Sequence, residues 1–372
     1  MDRWVRFRNA VIGWKYRNIL KPLFFLQNPE SVHHRMVHVG RVLGQTSATR
    51  ACTRAMFGYR NNNLAVTVGG LHFPNPVGLS AGFDKQAKLT GIMGSVGFGF
   101  MEIGSVTGTP GPGNPPPRLW RLPKSKSLAV HYGLNSIGSQ AVAARLRSSF
   151  RSVPLGISIA KANLPACDDL DAGIADYQRA AQDLAPLADY IAINISCPNT
   201  TGGEPFTKPE NLTRLMAALL PHLAGKPAFI KLPADRTMEE IDALTDTAMN
   251  FSIAGFIISN LTTKRNNPAV KDAKIPPRGG LSGKVVEEQS NKILAHVYRR
   301  HGSKVALIGV GGIFSAEDAY KKIRLGASLV QLITGMIYEG PQLISSINLG
   351  LARLLQQDGF STINEAVGAG IK

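Results

Sequence analysis

Acidic residues are scarce in this sequence, 25 against 42 lysines and arginines, and a formal charge of +17 results. Cysteine is scarcer still. Cys52, Cys167 and Cys197 form neither a Cys-x-x-Cys pair nor an even set, so a reducing compartment is expected, with no disulfide framework and no structural metal. No run of about 18 apolar residues occurs, which excludes an ordinary membrane-spanning helix. After the basic opening Met1 to Ala10 there is no apolar stretch ending in a small-residue cleavage site, so no secretory signal is expected. A mitochondrial presequence shares the same basic, acid-poor composition. What the chain does have is 372 residues, 44% of them hydrophobic, ample for one large core and contrary to disorder.

The positive charge is uneven. Met1 to Arg60 carries eleven lysines and arginines against Asp2 and Glu30 alone. Anionic lipid, nucleic acid and an acidic partner all suit such a segment, and charge by itself does not choose among them. Its arginines, however, alternate with Trp4, Phe7, Trp14 and Tyr16, and Leu23-Phe24-Phe25-Leu26 lies close to Lys15, Arg17 and Lys21, as in amphipathic helices on membranes. A membrane surface is the expected partner, and nucleic acid is not. Asn28-Pro29-Glu30 reads as a helix start, with Asn28 capping and Pro29 at the first helical position. Val32, Met36, Val39 and Leu43 are spaced to form one apolar stripe on that helix.

From about Asn61 the pattern changes to eight short apolar runs separated by helix-sized intervals. These are Pro76–Gly82, Phe98–Val106, Leu155–Lys161, Tyr190–Ser196, Ala228–Pro233, Gly255–Asn260, Val305–Gly312 and Ser328–Gly335. Strands this apolar are covered on both faces, and regular alternation with helices implies parallel crossovers. Eight such units predict an α/β fold, a (β/α)8 TIM barrel over residues 61–372, preceded by a helical extension over residues 1–60.

Polar and glycine residues gather at the C-terminal ends of the runs, where barrel enzymes carry their catalytic loops. Gly309-Val-Gly-Gly312 and Ile333-Thr334-Gly335 follow the seventh and eighth runs, a common place for a phosphate-bearing cofactor, although a turn of this kind also occurs with no ligand. It lacks the spacing of a nicotinamide site. Asn194-Ile-Ser-Cys-Pro-Asn-Thr200 ends the fourth run with a thiol, Cys197, flanked by amides; the thiol suits a nucleophile, a base, or simply a small buried residue. Lys85 and Lys231, at two other strand ends, each suit an anionic ligand or a rim salt bridge. Gly108 to Arg118, with five prolines and three glycines, is a stiff loop, either a lid or a passive turn.

Six ordered motifs then carry a resemblance across nearly the whole chain. Ser80-Ala-Gly-Phe-Asp-Lys85, Glu102-Ile-Gly-Ser-Val-Thr107, Gly113-Asn-Pro-Pro-Pro-Arg118-Leu-Trp-Arg-Leu-Pro123, Tyr132-Gly-Leu-Asn135, Gly279-Gly-Leu-Ser-Gly283 and Ile308-Gly-Val-Gly-Gly312 resemble those of the dihydroorotate dehydrogenases. Asn28-Pro-Glu-Ser31 followed by His33 is similar to the membrane-associated, quinone-dependent class. The resemblance implies FMN as cofactor, oxidation of dihydroorotate or a close analogue to the orotate level in pyrimidine synthesis, and ubiquinone or menaquinone as acceptor. It implies a peripheral protein of the inner (cytoplasmic) membrane, or of the mitochondrial inner membrane in a eukaryote.

By the same resemblance Cys197 is the catalytic base and Lys85 meets the substrate carboxylate, with Tyr132, Gly133, Leu134, Asn194, Asn199, Asn260 and Leu261 around the substrate. The cofactor would be held by Ala81, Gly82, Phe83, Asp84, Lys85, Ser105, Ser158, Asn194, Lys231, Ser259, Gly283, Gly312, Ile333 and Thr334, with His33 and Arg121 at the quinone mouth. Several positions depart from the family. Cys197 is the base of the soluble class, where the membrane-associated class carries serine, and Thr201 to Phe206 continues differently. Val130 and Leu261 replace an asparagine and a threonine near the substrate, Ser158 an asparagine and Ile333 an aromatic residue near the cofactor. These departures motivate an alternative, a related flavin oxidoreductase acting on another cyclic amide or unsaturated acid.

Overall fold

The structure is a computed structural model and describes residues 2–200 and 202–371. Met1 and Lys372, the ends of the two expected segments, and Thr201, the start of the divergent loop, lie outside the described residues. Eight parallel strands close into a barrel: β1 (Val77–Leu79), β2 (Phe100–Val106), β3 (Leu155–Ile159), β4 (Tyr190–Asn194), β5 (Ala228–Lys231), β6 (Gly255–Ile258), β7 (Ala306–Val310) and β8 (Leu329–Leu332). Each pairs with the next in sequence, and β8 closes on β1 through Val330 opposite Val77. All eight lie inside the runs read from the sequence. Full burial on both faces explains why those runs lack alternation.

The barrel floor is aromatic. Phe73, Phe100, Tyr190 and Phe229 stack edge to face in series, with ring centroids 5.3, 6.4 and 5.4 Å apart. Phe73 arrives on the antiparallel hairpin Val66–Val68 and Leu71–Phe73, whose apolar side chains join this floor cluster. Gly78 makes room for it: a Cβ there would lie 2.3 Å from the Phe100 ring. At the opposite end, a three-stranded antiparallel sheet of Leu119–Leu122, Ser127–Val130 and Gly280–Leu281 contributes to the barrel mouth. The sequence reading did not anticipate it, because Val130 pairs with Gly280, some 150 residues away.

The extension is helical, as expected: α1 (Asp2–Lys15), a π-turn over Tyr16–Leu20, α2 (Lys21–Phe25), α3 (Pro29–Leu43) and α4 (Ser47–Phe57). Asn28 caps α3, its side chain accepting from the amides of Glu30 and Ser31 at 3.0 and 3.1 Å. The stripe on α3 differs from expectation. Val32 and Val37 are buried, whereas Val39 and Leu43 are exposed, because α3 lays the Val32–Val37 side on the barrel and turns the other side outward. Arg8 fastens α1, donating to the carbonyls of Ala55 and Gly58 and to Ser345 Oγ. No helix among the described residues is long and apolar enough to cross a membrane.

Candidate active site

Polar strand ends converge on one cavity at the barrel mouth. It is lined by Ala81, Gly82, Phe83 and Lys85 after β1, Ser105 on β2, Asn194, Cys197 and Asn199 from β4, Lys231 on β5, and Ser259, Asn260 and Leu261 after β6. Gly283, Gly312, Ile333 and Thr334 complete one wall, and His33, Tyr132, Gly133 and Leu134 the other. Three expected residues do not line it. Asp84 is buried and spends its carboxylate on the amides of Gln86, Lys88 and Leu89, holding the turn that presents Lys85. Ser158 lies behind Ser105, their hydroxyls 2.8 Å apart. Arg121 donates to the carbonyls of Phe25 and Gln27 and lies over the Phe25 ring, so it ties the α2–α3 corner to the barrel.

The polar floor is pre-ordered. Asn260 Nδ2 donates to Asn194 Oδ1 at 3.2 Å and to the Ser196 carbonyl, while Asn194 Nδ2 donates to Ser105 Oγ at 2.8 Å. Lys85 stands with Nζ 3.5 Å from the centre of the Tyr132 ring, and Arg118 lies against the same ring at 5.1 Å. Burial first, and then the Arg118 charge, push the Lys85 ammonium down to about 8, against the pull of Glu30 and Asp84. Lys231 is also lowered by burial, with Glu102 and Cys197 opposing. Neither lysine makes a salt bridge among the described residues, so both charges remain available to an anionic ligand.

Cys197 is held at the start of a loop whose Asn199 carbonyl accepts from Asn114 Nδ2 at 3.0 Å. Burial pushes its thiol up to about 11, and Glu204 adds to that; the Asn199 amide, Lys231 and Lys161 favour the thiolate. Asn114 belongs to the proline-rich loop, which at its other end ties Arg118 to Glu30. That loop is thus a fastened strap more than a free lid.

Two glycine-rich turns press together on the opposite wall: a Cβ on Gly335 would lie 2.1 Å from the Ile313 carbonyl oxygen, and Gly311 and Gly312 have φ of +105° and +78°. The Gly312 amide donates to no acceptor among the described residues, and Thr334 Oγ1 lies 2.8 Å from Ser282 Oγ. A free amide beside two hydroxyls fits a phosphate-bearing cofactor.

The side toward the extension is apolar. Leu128, Phe314 and Tyr338 are buried together, with Phe25, Leu119, Val130 and Ile337 packed on them, and Phe25 meets Tyr338 edge-on at 5.4 Å. Sequence reasoning missed Leu119, Leu128, Phe314 and Ile337 as lining residues. Phe314 follows the glycine turn directly and was the one with a signal; the others reach the cavity only through tertiary folding. His33 lies 5.0 Å from Phe83, and burial with the nearby Lys85, His34 and Lys88 charges pushes its imidazole down to about 3.

The comparisons with known proteins agree with this geometry. The dihydroorotate dehydrogenase family profile matches residues 63–355. A dihydroorotate dehydrogenase (quinone) of Nocardia farcinica is 40% identical over 359 residues, covering 94% of this chain and 96% of the relative. One of Myxococcus xanthus is 42% identical over 314 residues, covering 82% and 84%. The crystal structure of an Eimeria tenella DHODH in complex with ferulenol superposes with a TM-score of 0.83 at 29% identity, over 94% of this chain and 98% of that one. On the barrel, the site and these likenesses together, the chain belongs to the dihydroorotate dehydrogenase family.

Proposed function

We propose that this chain oxidises dihydroorotate to orotate and passes the electrons to a quinone, with FMN as the resident cofactor. The observation that carries the reading is one cavity with a thiol and two unpaired lysines on its polar side and an apolar wall running to the extension. FMN would lie against Gly283, Gly311, Gly312 and Thr334, with Lys231 beside its ring; when bound it supplies the acceptor for the hydride leaving substrate C6. Lys85 holds the substrate carboxylate, and Asn199 and Asn260 orient the ring. Cys197 Sγ takes the proton from C5, a transfer that first requires the thiol to ionise. The Lys231 and Lys161 charges favour that ionisation.

The quinone reading rests on the apolar wall from Phe25 to Phe314, with neutral His33 lining the same cavity. Membrane seating of the extension is supported by exposure: of the thirteen exposed large apolar side chains among the described residues, all but Phe150 lie between Trp4 and Met56. So many apolar groups left in water on one segment favour insertion into a lipid interface.

The test is anaerobic addition of dihydroorotate to the purified yellow protein. Rapid bleaching, reversed by a short-chain quinone, is expected. A yellow protein that dihydroorotate leaves oxidised would refute the substrate assignment. Val130 and Leu261, both on the cavity wall, favour a second reading with another cyclic amide or unsaturated acid as substrate. Bleaching by such an analogue, but not by dihydroorotate, would select it.

A further inference from the structure

Lys322 is a buried lysine that the proposed reaction does not use. It lies on the helix Ala316–Arg324 with 1% of its surface exposed. Its Nζ donates to Asn291 Oδ1 at 2.7 Å and to Ser290 Oγ at 3.0 Å, both neutral acceptors on the helix Glu287–His301. An ammonium has three donors, and the third has no protein acceptor among the described residues. Such a group is costly to bury, so its position requires an account.

The bonding onward from Ser290 supplies one. Ser290 Oγ donates to the Val310 carbonyl at 2.5 Å, the last residue of β7, and lies 3.3 Å from the Ile258 carbonyl at the end of β6. Val310 is followed by Gly311 and Gly312, both on the cavity wall, the Gly312 amide with no acceptor among the described residues. The lysine stem passes directly beneath this segment: a Cβ on Gly309 would lie 3.1 Å from Lys322 Cδ. Of the other charges nearby, Lys284, Glu287 and Asp318 satisfy one another, and Lys321 adds a further positive charge. Lys284 bonds Glu287 at 2.7 Å and Asp318 at 2.9 Å, and Asp318 also accepts from the amide of Phe314 at 2.8 Å. An anion in the glycine turn would therefore join three lysines and two carboxylates, a set with one positive charge in excess.

We propose that Lys322 is a positioning residue for the cofactor phosphate: through Ser290 it fixes the β7 end so that the Gly312 amide faces the cavity, and its buried charge favours a phosphate there. This rests on the flavin reading above. It assigns to a side chain outside the cavity the selection of a phosphorylated flavin over an unphosphorylated one. Burial pushes the Lys322 ammonium down to about 7, with Glu287 and Asp318 opposing, so a phosphate in the turn would also help hold it charged.

Riboflavin shares the ring and the ribityl chain of FMN and lacks the phosphate, so the pair isolates the effect. The full-length protein, depleted of flavin and reloaded, is titrated with FMN and with riboflavin while the flavin fluorescence is followed. Lys322→Met is expected to weaken FMN at least tenfold and to leave riboflavin within about twofold, so that the preference between them collapses. Equal losses for both flavins would mean a merely structural role and would overturn the proposal; so would no loss for either. Should Lys322→Met fail to fold, Ser290→Ala keeps the lysine and cuts its link to Val310. The same selective loss is expected of it, and unaltered FMN preference would overturn the proposal. A wild-type protein that takes up no flavin would instead remove the cofactor reading, and this is seen before any variant is made.

Discussion

Glu30 of α3 and Arg118 of the proline-rich loop are joined by three hydrogen bonds: the Arg118 amide, Nε and Nη2 donate to the Glu30 carboxylate at 2.7, 3.1 and 2.9 Å. Both side chains are mostly buried, at 12% and 16% exposure. This clamp joins the extension to the barrel rim beside Tyr132 and Lys85, and so links the segment that exposes its apolar side chains to the lysine proposed to hold the substrate.

Glu30→Gln is expected to cost about 1.5–3 kcal/mol, the usual value of hydrogen bonds to a charged group. A lower unfolding temperature and faster proteolysis of the extension are the readouts. The Glu30 charge also supports the Lys85 ammonium, so the variant should move the Lys85 titration below about 8. An unchanged kcat/KM profile in Glu30→Gln would contradict that coupling.

The pH dependence follows from two groups. In the proposed mechanism the free enzyme needs Lys85 charged, as it is below about 8, and Cys197 as a thiolate, which it becomes above about 11. The product of the two fractions rises with pH to about 8, stays level to about 11 and then falls. In the complex the bound carboxylate keeps Lys85 charged, so kcat should go on rising beyond pH 8. Rapid anaerobic mixing across this range checks it, and a kcat already level at pH 7 would contradict the thiol's assignment. Cys197→Ala should slow the same step by about 10² to 10⁴, the usual contribution of a general base.

Removal of residues 1–60 should abolish quinone reduction, because the apolar wall loses Phe25 and its neighbours, while substrate still reduces the cofactor with a kcat/KM lowered by the loss of Glu30. A folded, truncated protein that reduces quinone at the intact rate would sink the assignment. Replacing Trp4, Phe7 and Trp14 together by serine should lower binding to lipid vesicles at least tenfold, equivalent to about 1.4 kcal/mol, and leave the substrate half-reaction unchanged.

Gly78→Ala is a stability test away from the site. Its Cβ would lie 2.3–2.5 Å from three Phe100 ring atoms in the barrel floor, and overpacking of this kind costs about 1–3 kcal/mol. Denaturant unfolding would measure it; an unchanged midpoint would mean the floor can shift to accept a methyl group.

Much of this protein follows from its sequence alone. Eight doubly buried strands announce themselves as apolar runs because each run is local, and the catalytic candidates announce themselves because a barrel puts its loops at the strand ends. Asn28 was legible as a cap for the same reason, since its partners are two and three residues away. The tertiary structure alone decided what depends on distant partners. It turned Val39 and Leu43 outward and Val37 inward, paired Val130 with Gly280, placed Ser158 behind Ser105, and brought Leu119, Phe314 and Ile337 to one wall. It also decided the chemistry of the ionisable groups, since Lys85, His33 and Cys197 owe their shifts chiefly to burial. Periodicity records which residues prefer to leave water, whereas desolvation and pairing depend on which surfaces finally meet.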